Sequence, residues 1–169
     1  MPRSWLPSFL IFLFIVACAN LCVAGQERPH PATTESEKRL DRIVRQSEKD
    51  QNLVEFVLRT PAYKPKADKG YAGLFTKRLL DAMAARERAA VAENCKGKYI
   101  PGELCGLDYN PLTCAQDEPD GPYLYTTQSA EPEKATIVLF RPGEKKPAVR
   151  YEMTREAGQW KLDAVRCLP

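Results

Sequence analysis

The sequence predicts an α+β domain, an antiparallel sheet wrapping its apolar face around helices. Three observations predict it. Apolar residues keep helical spacing in the first half of the chain. From residue 122 the period changes to two, with short turns between the alternating runs. Residues 95–121 carry three cysteines among glycines and prolines and follow neither period. Helices first and a short-turned meander after them is the order of an α+β domain.

The helical half starts with a polar stretch, 26–34, that holds two prolines and no apolar pattern. Residues 26–47 are read as a polar tether or partly helical tail, although Thr34 and Glu37 have capping-box spacing and Leu40, Ile43, Val44 and Ser47 keep helical spacing. The domain proper, 48–169, opens with a helix over 48–59 carrying Leu53, Val54, Val57 and Leu58. The stripe from Leu40 to the Thr60-Pro61 stop is one long helix or two short ones broken near Asp50-Gln51-Asn52, and 48–59 is the preferred piece. Residues 60–70 form a loop. A stronger helix runs from Thr76 to about Asn94, with Leu79, Leu80, Met83, Ala84, Ala90 and Val91 on one face and Arg86-Glu87-Arg88 on the solvated one.

The second half reads as four strands. Tyr123 to Thr127 puts Tyr123 and Tyr125 on one face. Ala135 to Arg141 is apolar on both faces, as suits a central strand. Val149, Tyr151 and Met153 alternate with Arg150, Glu152 and Thr154. After a turn at Ala157-Gly158, Trp160, Leu162 and Ala164 alternate with Lys161 and Asp163, and the strand ends near Leu168.

The 169 residues begin with one positive charge, Arg3, then an apolar run from Phe9 to Ala17, then small residues. That is the shape of a secretory signal over 1–25, and the run is too short to span a bilayer. Cleavage after Gly25 and lipidation at Cys18 within Val16-Ala17-Cys18 are both compatible with it. The expected location is periplasmic or secreted, with a lipid anchor at Cys18 as the only membrane attachment. Cleavage after Gly25 leaves Cys95, Cys105, Cys114 and Cys167, with no Cys-x-x-Cys. In an exported chain these favour two disulfides over a redox or zinc site. Of the three connectivities, Cys95–Cys105 with Cys114–Cys167 is the preferred one, because it closes the irregular loop and ties it to the last strand.

Charge and histidine content exclude further classes. The formal net charge is +3, and the 25 basic and 22 acidic residues form no basic stripe for nucleic acid. The one histidine, His30, falls in the expected tail, so no Ser-His-Asp or Cys-His arrangement is expected in the domain. Neither a cofactor nor a metal is expected.

The ending VRYEMTREAGQWKLDAV, at 149–165, resembles the terminal hairpin of nuclear transport factor 2-like domains. The stretches YAGLFTKRLLDAM, at 71–83, and CGLDYNPLTCAQD, at 105–117, resemble uncharacterised exported bacterial domains of that fold. Phe75, Thr76 and Leu79 match one motif, and Asp108, Pro111, Gln116 and Asp117 the other. The resemblance covers roughly 48–168. It implies a cone-like curved sheet with the helices in its concave face, and it implies no particular activity.

Three functions follow as expectations. The first is a non-catalytic binding or accessory domain of the bacterial envelope. It would hold a small apolar ligand or an envelope protein near Tyr123, Tyr125, Tyr151 and Trp160, with Gln116 and Asp117 beside them. The second is a small isomerase or cyclase with Asp117 as base, Asp108 and Asp163 being weaker candidates, and a tyrosine as donor. The third is an inhibitor or immunity protein that presents an exposed loop from 96–121.

Overall fold

The computed structural model describes residues 28–169. The expected leader, its cleavage site, Cys18 and Cys22 lie outside the described residues. Three α-helices pack against a four-stranded antiparallel sheet: α1 Glu35–Lys49, α2 Gln51–Leu58, α3 Lys77–Cys95, β1 Leu124–Glu131, β2 Lys134–Phe140, β3 Val149–Glu156 and β4 Gln159–Cys167. The sheet order is β1-β2-β3-β4, a simple meander.

Helix α1 is the helical part of 26–47, and it packs into the domain instead of trailing from it. The capping box is formed: the Thr34 hydroxyl accepts from the Glu37 N–H, and the Glu37 carboxylate accepts from the Thr34 N–H. Leu40, Ile43 and Val44 are fully buried and belong to the main core. Their stripe is interrupted by charges that point outward, which hides its amphipathic character from a reading of mean polarity. The chain breaks at Asp50, whose extended backbone ends α1 and starts α2. Its carboxylate accepts from the Tyr71 hydroxyl at 2.8 Å, so the corner is tied to the turn before α3.

His30 also departs from expectation. Its backbone pairs with Tyr125 on the outer edge of β1, and its Nε2 stands 3.9 Å from Glu37 Oε1. The histidine is therefore part of the folded domain. Its Nδ1 lies 2.8 Å from the carbonyl oxygen of Pro31.

Helix α3 matches its expected bounds. Thr76 caps it by accepting from the Leu79 N–H, and Lys96 closes it in the left-handed conformation. Strand β1 runs on to Glu131, past the expected Thr127, because β1 and β2 join in a tight hairpin with a bulge between Thr127 and Ser129. Strand β4 carries a second irregularity. Glu152 pairs with Ala164 and Met153 with Leu162, so Asp163 is the extra residue. The bulge aims Asp163 at α3, where it accepts from the Thr76 hydroxyl at 2.6 Å and from the Arg78 guanidinium. Arg78 and Thr76 hold the Asp163 carboxyl below its usual range against the opposing effect of burial. Asp163, offered as a weaker catalytic candidate, is a helix-to-sheet tie.

Both disulfides have the preferred connectivity. Cys95–Cys105 spans 5.2 Å between Cα atoms and Cys114–Cys167 spans 5.6 Å. The first closes residues 96–104 onto the end of α3. The second joins the irregular segment to the end of β4.

Candidate functional site

The four aromatic residues expected to line a binding face are core residues. Tyr123, Tyr125, Tyr151 and Trp160 are all buried. Buried hydroxyls need partners, and each tyrosine has one. Tyr125 Oη donates to Asp41 at 2.8 Å, Tyr123 Oη donates to Glu48, and Tyr151 Oη donates to the Leu112 carbonyl at 2.7 Å. Burial first, and the neighbouring carboxylates after it, push the Tyr123 and Tyr125 hydroxyls well above their ordinary pKa. Trp160 has the Arg155 guanidinium 6.0 Å above its ring.

Two of these bonds belong to a ladder between α1 and β1. The third rung is Thr127 Oγ1 donating to Glu37 at 2.8 Å. Glu37, Asp41 and Glu48 descend one face of the helix as Thr127, Tyr125 and Tyr123 ascend alternate positions of the strand. One helical turn of four residues rises about 6 Å, and two strand residues rise about 7 Å, so the first two rungs match. Glu37 is fully buried, and burial opposes its charge. The Thr34 and Thr33 N–H groups and the Thr127 hydroxyl outweigh that and hold its pKa below the usual range. The spacing of these acidic residues is visible in the sequence, but only a helical α1 makes it meaningful.

An open cleft lies elsewhere. It has a volume of about 600 Å³ and runs between α1, α2, the middle of α3 and the loop 99–118. Asp117 and Gln116 line it, as does Asp108, whereas the three core tyrosines do not. Sequence reasoning put Gln116 and Asp117 beside the tyrosines, and the structure separates the two groups. Gln116 Nε2 donates to Asp108 Oδ2 at 3.0 Å, and Asp117 stands exposed.

The far wall is held firmly. Asn110 donates to the Ser47 hydroxyl at 3.1 Å, Arg141 Nη2 donates to the Cys114 carbonyl at 2.7 Å, and Tyr151 grips Leu112. With the Cys114–Cys167 bond, residues 110–114 are tied to α1, to Arg141 just after β2, to β3 and to β4. The near wall is set by Glu87 on α3. It is buried, and its carboxylate accepts from the Tyr99 hydroxyl at 2.9 Å and from the Leu107 N–H at 2.9 Å. Gly106 faces it so closely that an added Cβ would lie 1.9 Å from Glu87 Oε1, which is why this position has no side chain.

The lining has one sign of charge. Glu48, Glu55, Glu87 and Asp108 each hold at least one neutral donor: Tyr123, Gln51 with Thr60, Tyr99 with the Leu107 N–H, and Gln116. Glu103, Asp117 and Glu118 stand at the rim, exposed and without a side-chain partner. Among the described residues, no Lys, Arg or His lines the cleft. In a chain with more basic than acidic residues, that is a segregation of charge.

The lip is apolar. Tyr99, Ile100 and Leu104 are the exposed large apolar residues of the described chain, and Leu104 is 67% exposed. All three sit on the loop that Cys95–Cys105 closes. The sequence hinted at this through an irregular, disulfide-closed segment, but it did not single out these side chains. Among the described residues, no cluster of His, Cys, Asp or Glu could hold a metal ion, and no helix is long and apolar enough to cross a membrane. Two disulfides fit an oxidising, non-cytoplasmic compartment. Comparison with protein-family models, with curated proteins and with solved structures finds no match.

Proposed function

We propose that this protein is a non-catalytic binding domain of the bacterial envelope, periplasmic or secreted, that engages a partner protein at the cleft and its apolar lip. One observation carries the reading. The three exposed large apolar residues of the described chain lie together on one disulfide-closed loop beside the 600 Å³ cleft. Solvent-facing apolar side chains gathered on a constrained loop mark an interaction surface, because exposure costs hydration and the closed loop limits the ordering cost of binding. The nuclear transport factor 2-like fold, with its curved sheet, is part of the same proposal. Helices packed on one side of a four-stranded meander support it.

A second reading draws on the same loop. An inhibitor or immunity protein would insert Ile100 and Leu104 into the cleft of an envelope-directed enzyme or toxin, and it differs from an accessory domain only in silencing its partner. The isomerase reading lacks this support. It needs Asp117 beside a donor hydroxyl in a closed pocket. Asp117 is exposed, the core tyrosines hold Glu48, Asp41 and Leu112, and the tyrosines that line the cleft are joined to Glu87 and Arg86, not to Asp117.

The test is a photo-crosslinking amino acid at Leu104, compared with one at Glu131 on the far hairpin, in the cells that make the protein. A single adduct, identified by mass spectrometry, is expected at Leu104 and not at Glu131. Equal labelling at the two positions, or no adduct at Leu104, overturns the proposal.

A further inference from the structure

We infer that the cleft takes a basic segment of the partner polypeptide, with an arginine or lysine entering among Glu103, Asp117 and Glu118 while apolar neighbours pack on Ile100 and Leu104. The inference rests on the protein-binding reading above and adds the chemistry of the occupant.

Charge complementarity argues for it. The other carboxylates of the lining, buried Glu87, half-buried Glu48 and Glu55 and exposed Asp108, already accept hydrogen bonds from neutral donors, so they are satisfied without a cation. The three rim carboxylates have no such donors and no ion pair. They line one opening, with no basic side chain among the lining to offset their field. Low-dielectric walls lined by one sign of charge focus the potential on the mouth. Nothing in the fold uses these rim charges. Apart from its rim position Glu103 contributes only a backbone bond, from its N–H to the Ile100 carbonyl, within the loop.

Geometry argues for a polypeptide over a small cation. The charge lies beside the exposed side chains of Ile100 and Leu104, which a hydrophilic cation would leave in water. The cleft volume is of the size that takes a few side chains. A segment that alternates basic and apolar residues satisfies both parts. The far wall is fixed by the Cys114–Cys167 bond and the Tyr151 and Arg141 contacts, so the site is preorganised on that side.

The test uses the disulfide-intact protein and a fluorescein-labelled nine-residue peptide of alternating arginine and leucine. Controls are the same peptide with glutamine, and with glutamate, in place of arginine. Fluorescence anisotropy is read at low salt and near 0.15 M salt, where the Debye length is about 8 Å. The arginine peptide is expected to bind, and to weaken as salt rises. E103Q/D117N/E118Q should weaken it roughly tenfold. The charge-reversed E118K should bind the arginine peptide less and the glutamate peptide more. Equal binding of the glutamine peptide, or full binding by the triple variant, overturns the inference. So does competition by spermidine at equal potency, which would make the occupant a small polyamine. If Leu104 still crosslinks its partner while the peptide never binds, the basic occupant falls and the protein-binding reading stands. If the peptide binds and Leu104 crosslinks nothing, the protein-binding reading falls and the partner segment with it, and only the preference of the cleft for basic chains stands.

Discussion

Two sets of carboxylates in this molecule are treated in opposite ways. Along the α1–β1 seam, Glu37, Asp41 and Glu48 each accept from a hydroxyl of the strand, and Glu37 is fully buried. At the rim of the cleft, the carboxylates of Glu103, Asp117 and Glu118 accept from no donor among the described residues. A buried charge without partners is costly, so Glu37 needs its donors in the folded chain. An exposed charge without partners costs the fold almost nothing, so the rim is free to serve something outside the chain. The seam measures folding and the rim measures binding, and substitutions should separate them.

The largest effect should come from the covalent tie of the cleft's far wall to the end of β4. Replacing Cys114 and Cys167 by serine frees a span of 53 residues, and the loss should be about 4 kcal/mol on the chain-entropy account. Replacing Cys95 and Cys105, a span of 10, should cost about 3 kcal/mol on the same account. Urea denaturation of the two double variants measures both. A reversed order would mean that the lip loop, not the far wall, is the more important staple.

Next in size is the seam. Glu37→Gln keeps the shape but loses the charge-assisted bonds to Thr33, Thr34 and Thr127, at a cost of about 2–3 kcal/mol. The pH dependence has a definite sign. A carboxyl whose folded pKa is depressed adds stability above its unfolded pKa, about 4.3 for Glu, and loses it as pH falls through the folded value. Native protein should therefore lose stability steeply below about pH 4.3, and E37Q should have a flatter acid limb. Parallel acid limbs would remove Glu37 from the account.

The smallest effect is the sharpest. E103Q/D117N/E118Q should leave stability within about 0.5 kcal/mol of native, since surface changes of this kind rarely do more. Equilibrium unfolding of that variant is the check. A loss comparable to that of E37Q would make the rim structural and erase the contrast.

Much of the fold was legible because local signals agreed. Thr76 caps α3, alternation marks the strands, and spacing allowed the disulfide pairing that the structure has. The helical spacing of α1 was legible but its place in the core was not, because its buried face includes polar members, Ser36, Glu37 and Ser47, which look like surface in a sequence. Asp163 was misread for a different reason. Alternation continues through Lys161 and Asp163, and only the bulge, a property of strand pairing, turns Asp163 toward Arg78. The tyrosines were legible as a shared face but not as a filled one, since their partners come from α1 and from Leu112. The cleft was least legible. Its carboxylates come from three helices and a loop, and only Glu48, Gln51 and Glu55 share a spacing that crosses the helix break.

The most direct test is the yield of crosslinked partner from a photo-reactive residue at Leu104, measured in the native background and in E103Q/D117N/E118Q at matched protein levels. Unsatisfied rim charge acting as a docking surface predicts a clear adduct in the first and a yield several-fold lower in the second. Equal yields in the two backgrounds would contradict it.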